Sequence, residues 1–244
     1  QPAEDATDAN QEPKESPPKW SPWEDGKEVA AYPYTDRDGA LLFEVVRFEP
    51  KPGHPAHGKD KTFMQRVPGK EEWGRAKHGV DTVLYRLPEV SDAAQSGGLV
   101  VVVEGEKDVH TLEALGFVAT TCPQGADAWE DRYSEALEGA HVVLMPDNDP
   151  SGREHMEDVA ASVYEHAAAM KIVDLSEHIT LKHKGDVSDW AQPGDTDKAN
   201  QLRSFMKQSG VWTPPPEPEA SSDTPTDTPQ DGAEAPEYVF WYID

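Results

Sequence analysis

Three carboxylates stand out by type and spacing. Glu104 follows the apolar run "LVVVV", and Asp147 and Asp149 follow the run "HVVLMP". A turn that carries two acids two residues apart needs something to offset their repulsion, and a divalent cation is the simplest candidate. Mg2+ prefers oxygen ligands, takes one or two carboxylates and shares the rest of its shell with water and substrate phosphates. Such a site neutralises and positions a phosphoryl group, or activates a hydroxyl that attacks one. Glu104 is also suited to general-base work. Bases lie beside the acids, Lys107 in "EGEKD" and Arg153 in "DNDPSGR". Gly152 lets the chain turn closely into a following helix, whose N-terminus favours an anion. Any one of these acids alone reads as a turn or N-cap residue, Asp149 most of all. The pair of motifs is more specific: E-G-x-x-D, ending at Asp108, and D-x-D-x-x-G, about forty residues further on.

The elements that must position these residues alternate. "GGLVVVVEGEKD" is a buried strand running into a turn, and "DVHTLEALG" an amphipathic helix closed by Gly116. "FVATT" is a strand, "AWEDRYSEAL" a helix, "HVVLMP" a strand, "SGREHMEDVAASVYEHAAAM" a long helix and "KIVDL" a strand. This order predicts a mostly parallel sheet flanked by helices. Functional groups then collect at the carboxyl edge of the sheet, where Glu104, Asp147 and Asp149 fall.

A smaller β-rich block precedes it, over residues 20–95. "EVAAYPYTDRDGALLFEVVRFEP" reads as a hairpin around "DRDG", and "KTFMQRV" as a third strand. Residues 51–79 hold seven Lys and Arg against three acids, and His54, His57 and His78 besides. Phe63, Trp73 and Tyr85 lie in or near this stretch. Bases beside aromatics suit phosphate contact and base stacking, and suit a solvated loop over core aromatics equally well. His54 and His57 lack the companion ligands of a zinc site.

The chain has 244 residues and a net charge of −25. That charge is unusual for a nucleic-acid binder and fits an acidic, well-solvated surface that repels nucleic acid outside local basic patches. The single cysteine, Cys122, excludes an internal disulfide and a Cys-based zinc site in this chain. There is no membrane-length apolar run and no signal-peptide pattern, which fits a cytoplasmic protein. Residues 1–22 and 213–244 read as disordered linkers, the second Pro-rich and acidic. The chain does not begin with Met and ends in "YVFWYID"; it reads as a fragment with neighbours on both sides. The terminal segment suits either the first strand of a following domain or a partner-binding tail.

"VVVEGEKDV" with "LMPDNDPSGR" resembles the Toprim domain, shared by bacterial-type primases, type IA and type II topoisomerases, some nucleases and recombination proteins. The likeness spans about residues 98–175. "YPYTDRDGALLFEVVRFEP", "FMQRV", "VLYRLPEV" and "KGDVSDW" are similar to segments around Toprim in phage and plasmid primases, including primase–helicases, and extend it to about residues 28–190. The resemblance implies an α/β fold: a Toprim-like, mostly parallel sheet flanked by helices over residues 96–212, preceded by a smaller β-rich α+β subdomain over residues 23–95, with disordered tails.

It also implies a DNA primase core that makes short RNA primers on single-stranded DNA from ribonucleoside triphosphates. Glu104, Asp147 and Asp149 then bind Mg2+, for which Mn2+ can substitute. Asp186 and Asp189 are accessory acids beside the metal or the incoming nucleotide, and Lys107 and Asp108 join the catalytic group. Lys107, Gly125, Gly152, Arg153 and Lys184 meet nucleotide or phosphate. Arg47, Lys61, Arg66, Lys77 and Arg86 guide the template. A replicative helicase or ATPase, fused or separate, is the implied partner, in a bacterial or phage-infected cell. The upstream zinc domain and downstream ATPase usual in such primases are not in this sequence. A Toprim nuclease and a non-catalytic nucleic-acid-binding module are the alternatives; polymer growth against strand cleavage separates the first, and metal-independent binding of single strands marks the second. A topoisomerase is disfavoured, since no Tyr sits in a nucleophile context.

Overall fold

The structure, a computed structural model, describes residues 20–123, 125 and 128–215. The tails expected to be disordered fall almost wholly outside the described residues, as do "YVFWYID" and residues 124, 126 and 127. The described chain forms two compact units, one from residues up to 31 with 46–64, the other from residues 32–45 with 65 onward.

The hairpin forms where the turn chemistry places it. Strand β1 (Gly26–Thr35), β2 (Leu41–Pro50) and β3 (Thr62–Arg66) make a three-stranded antiparallel sheet in the order β1-β2-β3. Asp36 builds the β1–β2 turn: its carboxylate accepts from the backbone N–H groups of Asp38 (3.0 Å) and Ala40 (2.8 Å). Gly39 supplies the left-handed residue that this turn needs, at φ 85°. In the first unit, Trp23 meets Phe48 edge-on at 6.1 Å, and Lys51 Nζ donates to the Glu24 carbonyl at 2.7 Å.

The second unit is built on a parallel sheet of β4 (Leu99–Val102), β5 (Ala119–Thr120), β6 (His141–Leu144) and β7 (Ala169–Ile172), in the order β5-β4-β6-β7. Its helices are α1 (Leu87–Gln95), α2 (Glu106–Ala114), α3 (Asp131–Glu135), α4 (Pro150–Val163), α5 (Val187–Trp190) and α6 (Thr196–Gln208). Val100, Val102, Val142 and Leu144 are buried in one cluster with Val90, Leu137, Met156 and Val159. Val101 and Val143, which alternate with them, are buried as well, so the strands are covered on both faces, as parallel strands require. The expected α/β class, parallel sheet and leading β-rich segment are all present.

Several elements differ from their sequence patterns, among them β5, which is only two residues long, and β7, which starts two residues early. The long helix expected to reach Met170 stops at Val163. The Gly139 N–H then donates to the His166 carbonyl, and the Ala168 N–H to the Ala140 carbonyl, both at 2.9 Å. These bonds bring Ala169 and Met170 into register with His141 and Val142; the alanines suit either state, and sheet pairing decides. The helix expected in "AWEDRYSEAL" shrinks to α3, because the Trp129 indole donates to Ser134 Oγ (2.9 Å) and Thr82 Oγ1 to Glu130 (2.8 Å), fixing an extended entry. Helix α1 carries a Pro in its first turn and buries Leu87, Val90, Ser91 and Ala94. That is a helical period, in a segment where no helix is expected above.

Candidate metal centre

β4 and β6 are adjacent and in register, Val102 beside Leu144. The chain goes from β4 to one neighbour, β5, then crosses to β6 on the other side, so the strand order reverses between β4 and β6. Crevices at such reversals, outside the carboxyl ends of the strands, are where open α/β sheets bind ligands. Glu104 and Asp147 leave the sheet there. Glu104 Oε1 accepts from the Asp147 backbone N–H at 2.8 Å and ties the two strand ends together. Asp149 caps α4, its Oδ1 accepting from the Gly152 N–H at 2.8 Å. A Cβ on Gly152 would lie 2.4 Å from Glu104 Oε1 and 2.9 Å from the Asp147 carbonyl. Glycine is needed here for close approach, not for its backbone angles.

The tightest acid group among the described residues is Asp108, Asp147 and Asp186, which offer carboxylate oxygens all within 4.8 Å of one another. Each comes from a different segment: Asp108 from the first turn of α2, Asp147 from the β6–α4 turn, Asp186 from the N-cap of α5. Asp186 and Asp189 form a reciprocal capping box. Ser188 Oγ donates to Asp108 Oδ1 at 2.6 Å and lies 2.7 Å from Thr111 Oγ1, which fastens α5 to α2. Asn148 holds the loop before α5 in place. Its N–H donates to the Gly185 carbonyl, its carbonyl accepts from the Lys184 N–H, and its side-chain amide donates to the Lys182 carbonyl, each at 2.9 Å.

The electrostatics follow from this crowding. Burial, then Glu104, Asp108 and Asp186, push the Asp147 carboxyl up to about 8, against the opposing pull of Lys107. Burial and Asp186 push Asp108 up to about 6, opposed by Lys107 and the Ser188 bonds. An all-oxygen donor set of crowded acids at a sheet edge suits a hard divalent cation. No nitrogen or sulfur ligand joins the group.

The remaining residues singled out from the sequence have definite places. Asp189 pairs with Lys182 at 2.8 Å. Lys107 Nζ is 2.6 Å from Asp186 and 3.5 Å from Asp108. Lys184, at φ 60°, is exposed and lies 3.8 Å from Asp149. Arg153 donates to Asp174 (2.6 Å), Asn148 (2.8 Å) and Ser176 (3.0 Å), so its guanidinium braces the loop after β7 against the acidic turn. Gly125, at φ 73°, accepts from the buried Cys122 thiol at 3.5 Å. Arg66 pairs with Glu44 at 2.8 Å and lies over Trp73. Arg86 pairs with Glu113 at 2.7 Å, Lys77 with Glu72 at 3.7 Å, and Arg47 with Glu49. Lys61 lies over Phe63, which is 44% exposed. Ser188, Asn148 and Asp174 were not foreseen. The capping pattern D-x-x-D around Ser188 is a readable signal, whereas the partners of Asn148 and Asp174 are set by loops distant in sequence.

No protein-family model matches the sequence, and no curated protein is similar to it. Solved structures are similar in fold. The zinc-binding and RNA polymerase domains of the Aquifex aeolicus primase match 75% of this chain at 17% identity, with a TM-score of 0.50. A DNA primase domain from Pseudomonas aeruginosa matches 73% at 18% identity (TM-score 0.47), and the RNA polymerase domain of the Mycobacterium tuberculosis primase DnaG 73% at 14% (TM-score 0.45). The chain spans 40%, 50% and 54% of those three chains. The fold is that of a primase catalytic core.

Proposed function

We propose that this chain is the catalytic core of a DNA primase of the phage or plasmid primase–helicase kind, which joins ribonucleotides into short primers on single-stranded DNA. The observation that carries the reading is the convergence of Asp108, Asp147 and Asp186 within 4.8 Å at the strand-order reversal of the sheet. These three acids, bordered by Glu104, Asp149 and Asp189, would hold Mg2+, or Mn2+ in its place, and such an ion offsets charge on the triphosphate and the departing pyrophosphate. Glu104 fixes the Asp147 turn through its N–H, and Gly152 leaves room for that contact. Lys107 and Lys184 are exposed cations beside the acids, near Asp186 and Asp149; with Gly125 they would meet the incoming nucleotide, while Arg153 holds the acidic turn in shape.

Residues 23–95 form the subdomain that guides the template, through Arg47, Lys61, Arg66, Lys77 and Arg86, with residues 96–212 as the Toprim domain. No described helix is long and apolar enough to cross a membrane. We place the protein in the cytoplasm of a bacterial or phage-infected cell, working with a helicase or ATPase, fused or separate, and without zinc of its own.

The product tests the reading. Labelled ribonucleotides are supplied with unprimed single-stranded DNA and Mg2+ or Mn2+, and both nucleotide incorporation and template length are followed. Short RNA on intact template is expected. Template cleavage without RNA would make the chain a nuclease, and metal-independent binding with neither product would make it a binding module.

A further inference from the structure

Lys107 has a place in the acid cluster that neither the motif nor the fold assigns. Its ammonium lies 2.6 Å from Asp186 and 3.5 Å from Asp108, two of the three carboxylates that converge at 4.8 Å. The partners differ in freedom. The side chains of Asp108 and Asp186 are only 7% and 15% exposed, whereas that of Lys107 is 43% exposed. Asp108 is held by Ser188 Oγ at 2.6 Å, and Asp186 by the capping box of α5. The acids are fixed; the lysine, on a flexible four-carbon stem, has open solvent to withdraw into.

We infer that Lys107 is a built-in counter-cation of this cluster, which competes with the divalent ion for Asp108 and Asp186 and sets the ion concentration at which the site fills. The inference rests on the reading of the trio as a divalent-cation site. A unit charge within 4 Å of two largely buried carboxylates acts on them strongly, and it repels an incoming dication. Removing that charge favours the dication twice, by freeing the carboxylates and by lifting the repulsion. An ammonium released by the ion would be free to meet an anion, such as a phosphate, beside the same acids.

The test is direct Mn2+ binding by calorimetry on the full chain, comparing wild type with Lys107→Met and Lys107→Arg. Lys107→Met is expected to bind Mn2+ about five- to tenfold more tightly, a change of the size that loss of one nearby charge produces. Lys107→Arg, which keeps the charge, is expected to stay within about twofold of wild type. In chelator, Lys107→Met is expected to melt below wild type, and saturating Mn2+ to close the gap. Unchanged or weaker Mn2+ binding by Lys107→Met, with a melting deficit that Mn2+ does not close, would make Lys107 a plain brace between α2 and α5 and overturn the inference. Absence of Mn2+ binding in wild type and both variants would remove the cation site itself, and the inference with it. Should Lys107→Met not fold, wild type alone decides. The 15N signal of the Lys107 ammonium is expected to shift on Mg2+ saturation as its contacts with Asp186 and Asp108 break, and an unmoved signal is the contrary result.

Discussion

The acidic edge of the parallel sheet and the basic stretch around the three-stranded sheet use opposite charges and treat them differently. At the sheet edge, Asp108, Asp147 and Asp186 crowd together with one ammonium, that of Lys107, closely engaged among them. In the basic stretch, Arg47, Arg66 and Lys77 each have a carboxylate of their own, on Glu49, Glu44 and Glu72, and Arg86 is paired with Glu113. Seven bases in residues 51–79 suggest a phosphate track when counted along the chain, yet ion pairs neutralise part of that charge. Surplus charge points to function more strongly than total charge. By that measure the acids stand out, and among the bases chosen for the template Lys61 beside exposed Phe63 stands out.

The contrast is open to attack at several points. The largest effect is expected at the trio. Asp147→Asn or Asp186→Asn should lower primer synthesis by on the order of 100-fold or more while leaving the fold intact by circular dichroism; synthesis near wild-type level would show that the crowding is incidental. Gly152→Ala comes next. Its Cβ would press on Glu104 Oε1 and the Asp147 carbonyl, and overpacking of this kind costs about 1–3 kcal/mol, measurable by urea denaturation together with lost synthesis.

The two kinds of acid should also respond to pH with opposite sign. Asp147 is raised to about 8 by burial and by its acidic neighbours. It therefore ionises more readily in the unfolded chain, and in chelator the folded protein should lose stability as pH climbs from about 4 towards about 8. Asp147→Asn should flatten that slope, and a divalent cation should do the same. Asp174 behaves in the ordinary way. Burial opposes its ionisation, but the Ser176 hydroxyl and N–H and the Arg153 guanidinium outweigh burial and hold it below the usual carboxylate range. Its stabilisation is present above the unfolded value of about 3.9 and fades as pH falls through its lower folded value. Asp174→Asn should thus cost about 1 kcal/mol at neutral pH, solvent screening of Arg153 considered, and nothing in strong acid. Thermal melts from pH 3 to pH 9 check both slopes. The smallest effect belongs to the basic stretch. Lys77→Ala should change stability by less than about 0.5 kcal/mol, since exposed pairs contribute little. A larger loss in a denaturant titration would show that this pair is structural after all.

Legibility in the sequence followed how local each signal is. The hairpin was readable because Asp36 and Gly39 build its turn from four adjacent residues. The strands before Glu104 and Asp147 were readable from unbroken apolar runs, and their shared edge from the alternation of elements. The partition among the acids was not. Asp149 engages the Gly152 N–H three residues away, which a sequence allows for, but Asp108 meets Asp186 only because α5 folds back onto α2 through Ser188, eighty residues on. The end of α4 was hidden for a related reason. "EHAAAM" continues a helical pattern, and only pairing of Ala169 and Met170 with β6 turns it into strand.

Crystals of the protein soaked in Mn2+ and measured for anomalous scattering would test the metal centre most directly. The expected result is an anomalous peak about 2.0–2.3 Å from carboxylate oxygens of Asp108, Asp147 and Asp186, lost in Asp147→Asn. A peak elsewhere on the chain, or none at millimolar Mn2+, would contradict the assignment of this edge as the catalytic metal centre.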